Sequence, residues 1–326
     1  MKKSEKIYLW KNNEYHYPQA FGFVPGMVSY LHDDGEKHPC MVVVPGGGYT
    51  FVSPTEGGIV AKKFYELGYN AFVVTYTINM LSQTPLMDQP MRDLSRAIRL
   101  IRRDADQYGI YADKLIVCGF SAGAHLCGSV CVHYEDVQEE DSTLSGISNR
   151  PDASILCYPV ITSGEYAHRG SFDALIGNTP SDQELAYYSL EKHVKENTPP
   201  AFLWQTMPDD AVPVENSYLY DAALRKAGVN HALHIFSSGR HGLSLGDQVW
   251  ADRDFGEPYT LEQTKRTLEA VRSGEADISD PEEKERILRD FDIDDSAKEK
   301  VYPEVTLWPS LADAWIRSIE KHPKHS

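Results

Sequence analysis

Six short apolar runs, spaced along the chain and separated mostly by helical patterns, limit what this sequence can fold into more than any other feature. They are Met41–Val44, Ala71–Thr75, Leu115–Cys118, Ser154–Tyr158, Ala201–Gln205 and Ala232–Phe236. Each is continuously apolar instead of alternating, as strands are when a sheet buries both faces. Between them, Ser53-Pro54-Thr55-Glu56 has the form of a helix start. Ser53 would be the N-cap, Pro54 would sit in the first turn and Glu56 would complete a capping box. That helix is expected to run through Val60 and Phe64 to a stop near Gly68. A second should cover Pro90 to Tyr108, with Leu94, Ala97, Ile98 and Ile101 as its apolar stripe. A third begins around Ser121, and a fourth runs from Val214 to Ala227 before Gly228. Strands alternating with helices predict an α/β fold, a mostly parallel, doubly wound sheet flanked by helices. Val24–Leu31 is a candidate antiparallel edge strand.

Two segments interrupt the alternation. Residues 161–200 form a link long enough to act as a lid or pocket wall, with a short helix expected after Ser181. The second, residues 247–301, is an acidic helical insertion before the last helix. From Asp247 to Glu304 there are 18 acidic and 9 basic residues. Within it, Leu261–Ser273 and Pro281–Phe291 have helical patterns, the latter capped by Asp280. Trp308–Ile319 then gives a closing amphipathic helix, with Leu311, Trp315 and Ile319 four apart.

The whole chain of 326 residues carries 32 basic and 48 acidic side chains, a net charge of −16. A surface of that sign repels phosphate backbones, so nucleic acid is excluded as a partner. No apolar run approaches the roughly 18–20 residues needed to span a bilayer. The basic start, Met1-Lys2-Lys3-Ser4-Glu5-Lys6, is followed by no apolar signal core, so no membrane partner and a cytoplasmic location are expected. The five cysteines, Cys40, Cys118, Cys127, Cys131 and Cys157, lack metal-ligand spacing and read as buried free thiols. No metal or cofactor is expected.

The chemistry gathers at the carboxyl ends of the predicted strands. Gly119-Phe120-Ser121-Ala122-Gly123 follows one strand directly and opens a helix. A serine there can stand on a sharp, strained turn with its hydroxyl above the sheet, and flanking glycines relieve the crowding. Pro45-Gly46-Gly47-Gly48-Tyr49 follows Met41–Val44. The amides of Gly47 and Gly48, together with that of Ala122, can point at a developing oxyanion. Met207-Pro208-Asp209-Asp210-Ala211-Val212-Pro213 follows Ala201–Gln205 and supplies an acid where an orienting carboxylate is needed. The D-x-x-V-P pattern selects Asp209, with Asp210 as a helix-entry acid. Gly239-Arg240-His241-Gly242-Leu243 follows the last strand, and His241 completes the chain order Ser…Asp…His. His125, one turn after Ser121, reads as a buttress more readily than as a base. Tyr49, Phe51 and Phe172 are candidate substrate-binding residues. Trp204 suits either the pocket or the core.

In these motifs the chain resembles the bacterial acetyl esterases of the α/β-hydrolase superfamily, a group that includes acetylxylan-esterase-like enzymes. The matching pieces are Pro45–Tyr49 with Ser53–Glu56, Gly119–Leu126, Ala167–Phe172, Ser189–Lys192, Asp209–Ser217 and His241–Leu245. Many relatives carry histidine where Pro45 stands, so that side chain is not needed for the amide geometry. The likeness covers roughly Phe21–Gly246 and Tyr302–Ile319, and the chain length fits a single α/β-hydrolase domain over residues 1–326, with 161–200 as a cap-like link. The resemblance implies hydrolysis of small acyl esters, often acetyl groups on sugars, without metal or cofactor. The acidic segment 247–301 departs from the family pattern. A homo-oligomer is compatible with the sequence.

Two other readings compete. A prolyl-oligopeptidase-like peptidase shares this layout, but the chain has no room for a large N-terminal propeller. A non-catalytic binding protein on the same scaffold is the second. Such proteins commonly lose a triad member, and Ser121, Asp209 and His241 are all present.

Overall fold

The computed structural model describes residues 1–11, 13–256, 258–291 and 298–321. Of the acidic segment, residues 257 and 292–297 therefore lie outside the described residues.

A sheet of nine strands forms the centre. The strands are β1 (Lys2–Lys3), β2 (Ile7–Tyr8), β3 (Gly26–Leu31), β4 (His38–Val44), β5 (Asn70–Thr75), β6 (Ile110–Phe120), β7 (Ala153–Cys157), β8 (Ala201–Thr206) and β9 (His231–Phe236). Their order is β1-β3-β5-β4-β6-β7-β8-β9, with β2 also paired to β3. From β5 to β9 every pairing is parallel, and β3 is antiparallel to β5. The predicted strands are all present. Two differ in burial or position. Strand β3 has two-residue strands on its outer side, and β9, as the free edge, is only half-buried.

Strand side chains alternate between two cores, as the two-residue period of a strand requires. On β4, Met41 and Val43 face a cluster with α1 (Gly58–Glu66) and α10 (Trp308–Lys321). Cys40, Val42 and Val44 face the other cluster, with α2 (Gln89–Arg103), α3 (Ala122–His133) and α6 (Glu215–Ala227). This is the doubly wound α/β-hydrolase arrangement. All five cysteines are free and buried in these layers.

The first helix does not begin as the sequence suggests. Residues Pro54–Glu56 form a short 3-10 turn, and the Ser53 side chain makes no cap hydrogen bond. Gly57, at φ −100° and ψ −103°, separates that turn from α1. The Glu56 side chain, expected to close a capping box, turns inward instead.

The link 161–200 folds as α4 (Arg169–Ile176), α5 (Asp182–Tyr187) and a 3-10 turn at Leu190–Lys192. Ser181 and Glu184 form the reciprocal capping box of α5. Backbone bonds from Leu86 and Met87 to Ala174 and Leu175 fasten α4 to the body.

The acidic segment contains α7 (Gln248–Ala251), α8 (Glu262–Ser273) and α9 (Pro281–Asp290). Asp280 caps α9 through the Glu282 amide. Leu268, Val271 and Ile287 are buried against the same core as α2 and α3. Two short helices could not persist alone in water, and here their apolar faces dock on the body. The docking is also polar: Gln263 accepts from the Ile78 amide at 3.0 Å and donates to the Ile78 carbonyl at 2.9 Å. No helix among the described residues is long and apolar enough to cross a membrane.

Gln263→Ala would leave both backbone groups of Ile78 unpaired in a buried setting. The expected cost is about 1–3 kcal/mol of unfolding free energy, measured by denaturant titration. An unchanged midpoint would mean that the insertion contributes no stability through this contact.

Candidate active site

Ser121 stands between β6 and α3 at φ 52° and ψ −118°, a conformation that non-glycine residues seldom adopt. Its neighbours explain how the chain tolerates it. A Cβ on Gly119 would lie 2.4 Å from the Gly123 carbonyl oxygen, and one on Gly123 would lie 2.2 Å from that of Val44. Only glycine lets the helix start close over the end of the strand. Backbone bonds from Ser121 N–H to Cys157 O and from Val160 N–H to Ser121 O hold the turn.

Three side chains from three different strand ends meet here. His241 Nε2 lies 2.8 Å from Ser121 Oγ, and His241 Nδ1 lies 2.9 Å from Asp209 Oδ2. The Asp209 carboxylate is wholly buried and also accepts from the Ala211 and Val212 amides and from Gln205 Nε2. Burial pushes its pKa upward. The His241 contact and the two amides outweigh that effect and hold the carboxyl below the usual aspartate range. Asp210 takes a different position. Its Oδ1 accepts from the His241 backbone amide at 2.9 Å, so it holds the loop and not the imidazole. Tyr158 packs edge-on against the His241 ring, with centroids 4.9 Å apart.

The glycine loop lies beside the serine. Gly47 has φ 120° and Gly48 φ 63°. A Cβ on Gly47 would come within 2.2 Å of the Phe51 carbonyl oxygen. The Gly47 carbonyl accepts from the Thr50 and Phe51 amides, which closes the loop on itself. Among the described residues, no acceptor engages the N–H of Gly47 or of Gly48. The Gly46 N–H is instead bonded to Glu56 Oε2 at 2.7 Å. Ala122 opens α3, where backbone N–H groups have no partner within the helix.

These groups border a cleft of about 580 Å³. Gly47, Gly48, Phe51, Ser121 and His241 line it, and the acidic segment contributes Trp250, Arg253, Asp290 and Phe291. Phe51 and Phe291 meet edge to face, 6.2 Å between centroids. Two of the substrate-binding expectations do not match this geometry. Tyr49 and Phe172 are both buried behind the site and are not among the cleft-lining residues. Tyr49 Oη lies 2.8 Å from His125 Nδ1, and Phe172 packs on the His125 ring at 5.4 Å. Aromatic size suggested a pocket wall, whereas the packing uses both rings to fix His125. That histidine donates through Nε2 to the Tyr188 carbonyl, and burial pushes its pKa down to about 4. It is a buttress. Trp204 lies in the core, stacked on Trp308.

Two of the cleft residues that sequence reasoning missed lie close to Ser121 and His241. His168 lines the cleft with Nδ1 on Ser171 Oγ at 2.9 Å, an i,i+3 pairing at a helix start that could have drawn notice. Burial, followed by the nearby His241, lowers its pKa. Glu56 is the other, and the Gly57-Gly58 pair directly after it was the sign that no continuous helix runs from Ser53. Among the described residues, no group of three His, Cys, Asp or Glu side chains is placed to hold a metal ion.

Comparison with known proteins agrees with this architecture. A match to the BD-FAE family covers residues 29–224. The chain is 48% identical over 263 residues to endo-1,4-beta-xylanase B of Butyrivibrio fibrisolvens, covering 81% of this chain and 41% of that protein. It is 33% identical over 226 residues to an acetylxylan esterase of Xylanibacter ruminicola, covering 68% of this chain and 44% of that protein. The chain thus spans less than half the length of these curated relatives. The crystal structure of an acetyl ester-xyloside bifunctional hydrolase from Caldicellulosiruptor lactoaceticus superposes with a TM-score of 0.70 at 36% identity. That alignment covers 83% of this chain and 96% of the other. With the family match extending over more than half of its length, the chain belongs to the BD-FAE family and has the α/β-hydrolase fold.

Proposed function

We propose that this chain is a serine carboxylesterase that removes small acyl groups, acetyl foremost, from carbohydrate. The observation that carries the reading is the hydrogen-bonded series from Ser121 through His241 to Asp209, opening on a cleft. The preference for acetylated carbohydrate rests on the relatives, two of which are named for acetyl ester or acetylxylan hydrolysis.

In this mechanism His241 Nε2 takes the proton of Ser121 Oγ as the oxygen attacks the ester carbonyl carbon. The carbonyl oxygen becomes an oxyanion, stabilised by the N–H groups of Gly47, Gly48 and Ala122. Collapse breaks the bond to the alcohol oxygen, and His241 delivers its proton to that leaving group. The acyl group remains on Ser121. Water, deprotonated by His241, attacks the acyl-enzyme, and the proton passes back to Ser121 as the acid departs. Asp209 holds the imidazole in the tautomer with Nδ1–H and offsets the positive charge formed in each step. The acidic segment shapes the rim of the cleft and supplies no reacting group.

Ser121→Ala should reduce kcat by about 10⁴–10⁶ with the circular dichroism spectrum unchanged. Turnover near that of the native protein would remove the reading. The panel for this measurement is a series of acyl esters of rising chain length beside acetylated xylo-oligosaccharides.

The two aspartates should separate sharply. Asp209→Asn is expected to lower kcat by about 10⁴, and Asp210→Asn by about tenfold or less, since the latter acts only on the loop amide. The opposite ranking would move the acid by one residue. Because Asp209 is held below the normal carboxylate range, it stays ionised across the working pH range. The acid limb of kcat/KM should accordingly fit one ionisation above about pH 5. Two would show a second essential group losing its charge.

Phe291→Ala removes a rim group that comes from the insertion. KM for acetylated oligosaccharides should change severalfold, while kcat/KM for a small activated acetyl ester stays within about threefold. Loss of turnover of the small ester by a folded variant would make the insertion part of the catalytic machinery.

A further inference from the structure

Glu56 is a buried carboxylate that the mechanism above does not use. Its Oε2 accepts from the Gly46 amide at 2.7 Å, and its Oε1 lies 2.7 Å from Tyr158 Oη. Tyr158 Oη also accepts from the Ser244 amide at 3.1 Å. An amide can only donate, so the phenol proton is free to go to Glu56. Both carboxylate oxygens thus face donors, the pattern an ionised group requires. Burial opposes that charge and leaves the pKa raised, with the two donors and nearby His241 offsetting only part of the effect.

The three residues tied together belong to three separate loops. Gly46 begins the glycine loop and presses on the serine turn, since a Cβ there would lie 2.9 Å from Ser121 Cβ. Tyr158 follows β7 at φ 37° and packs on His241. Ser244 follows His241 at φ 49°, and its carbonyl accepts from Trp308 Nε1. Strained residues of this kind persist only where the surroundings over-determine them. From this geometry, we propose that Glu56 is a positioning residue. It fixes the glycine-loop amides and the His241 loop in register with Ser121, and so sets transition-state stabilisation without acting on the reacting atoms. The inference rests on the esterase reading.

Glu56→Gln tests it. An amide has one oxygen to offer two donors, and its NH₂ would face a donor already in place. The expected result is a fall in kcat of about 10–100-fold, the scale of a misplaced oxyanion donor, with KM within about threefold. The inhibition constant of an acetyl-sized trifluoromethyl ketone, which forms an oxyanion on addition of Ser121, should rise by the factor by which kcat falls. Tyr158→Phe keeps the Gly46 contact and should shift both quantities in the same direction by less. If Glu56→Gln fails to fold, Tyr158→Phe carries the test. A lowered Tm with kcat per titrated active site and ketone affinity unchanged would overturn the proposal and leave only a structural role. Should Ser121→Ala be inactive while these variants turn over normally, this proposal alone falls. An active Ser121→Ala would instead overturn the esterase reading.

Discussion

The strained turn at Ser121 sets the terms for the rest of the site. A serine held at positive φ between a strand and a helix needs a neighbourhood that leaves it no easier conformation. Gly119 and Gly123 permit the close approach, and β4 and β7 on either side of β6 supply the walls. With the hydroxyl thus fixed above the carboxyl edge of the sheet, each partner must arrive from another strand end at hydrogen-bond distance. The parallel sheet makes this possible, because β4, β6, β8 and β9 all end on that same edge.

Adjacent acids at one strand end illustrate how small displacements divide labour. Asp209 is wrapped by two amides, a glutamine and an imidazole, and Asp210, one residue on, faces a backbone amide at the rim. Each contact is ordinary in strength. Their value is geometric, since the imidazole is oriented from Nδ1 while its own loop is pinned from the amide.

The insertion shows a different economy. It departs from the chain just beyond the histidine loop and returns at the closing helix, so both anchors lie close to the site. Its helices bury an apolar face on the body, Gln263 pairs with a backbone segment after β5, and the end of α9 reaches the cleft. An element of this sort can alter what enters the cleft while the sheet that holds Ser121, Asp209 and His241 stays the same.

Much of this was legible in the sequence. The continuous apolar runs announced the parallel strands, because a strand buried on both faces has no choice but to be apolar throughout. The glycine-flanked motifs marked strand ends, because the backbone crowds out a side chain at Gly46, Gly47, Gly119 and Gly123. Those constraints are local, and local constraints are written in neighbouring residues. Tertiary structure alone decided the direction of each side chain. Tyr49 and Phe172 look like pocket aromatics in the chain, yet they turn away to hold His125. Glu56 looks like a capping residue, yet it is claimed by Gly46, ten positions earlier, and by Tyr158, 102 positions later. A buried carboxylate goes where donors are, and which donors surround it depends on how distant strands come together.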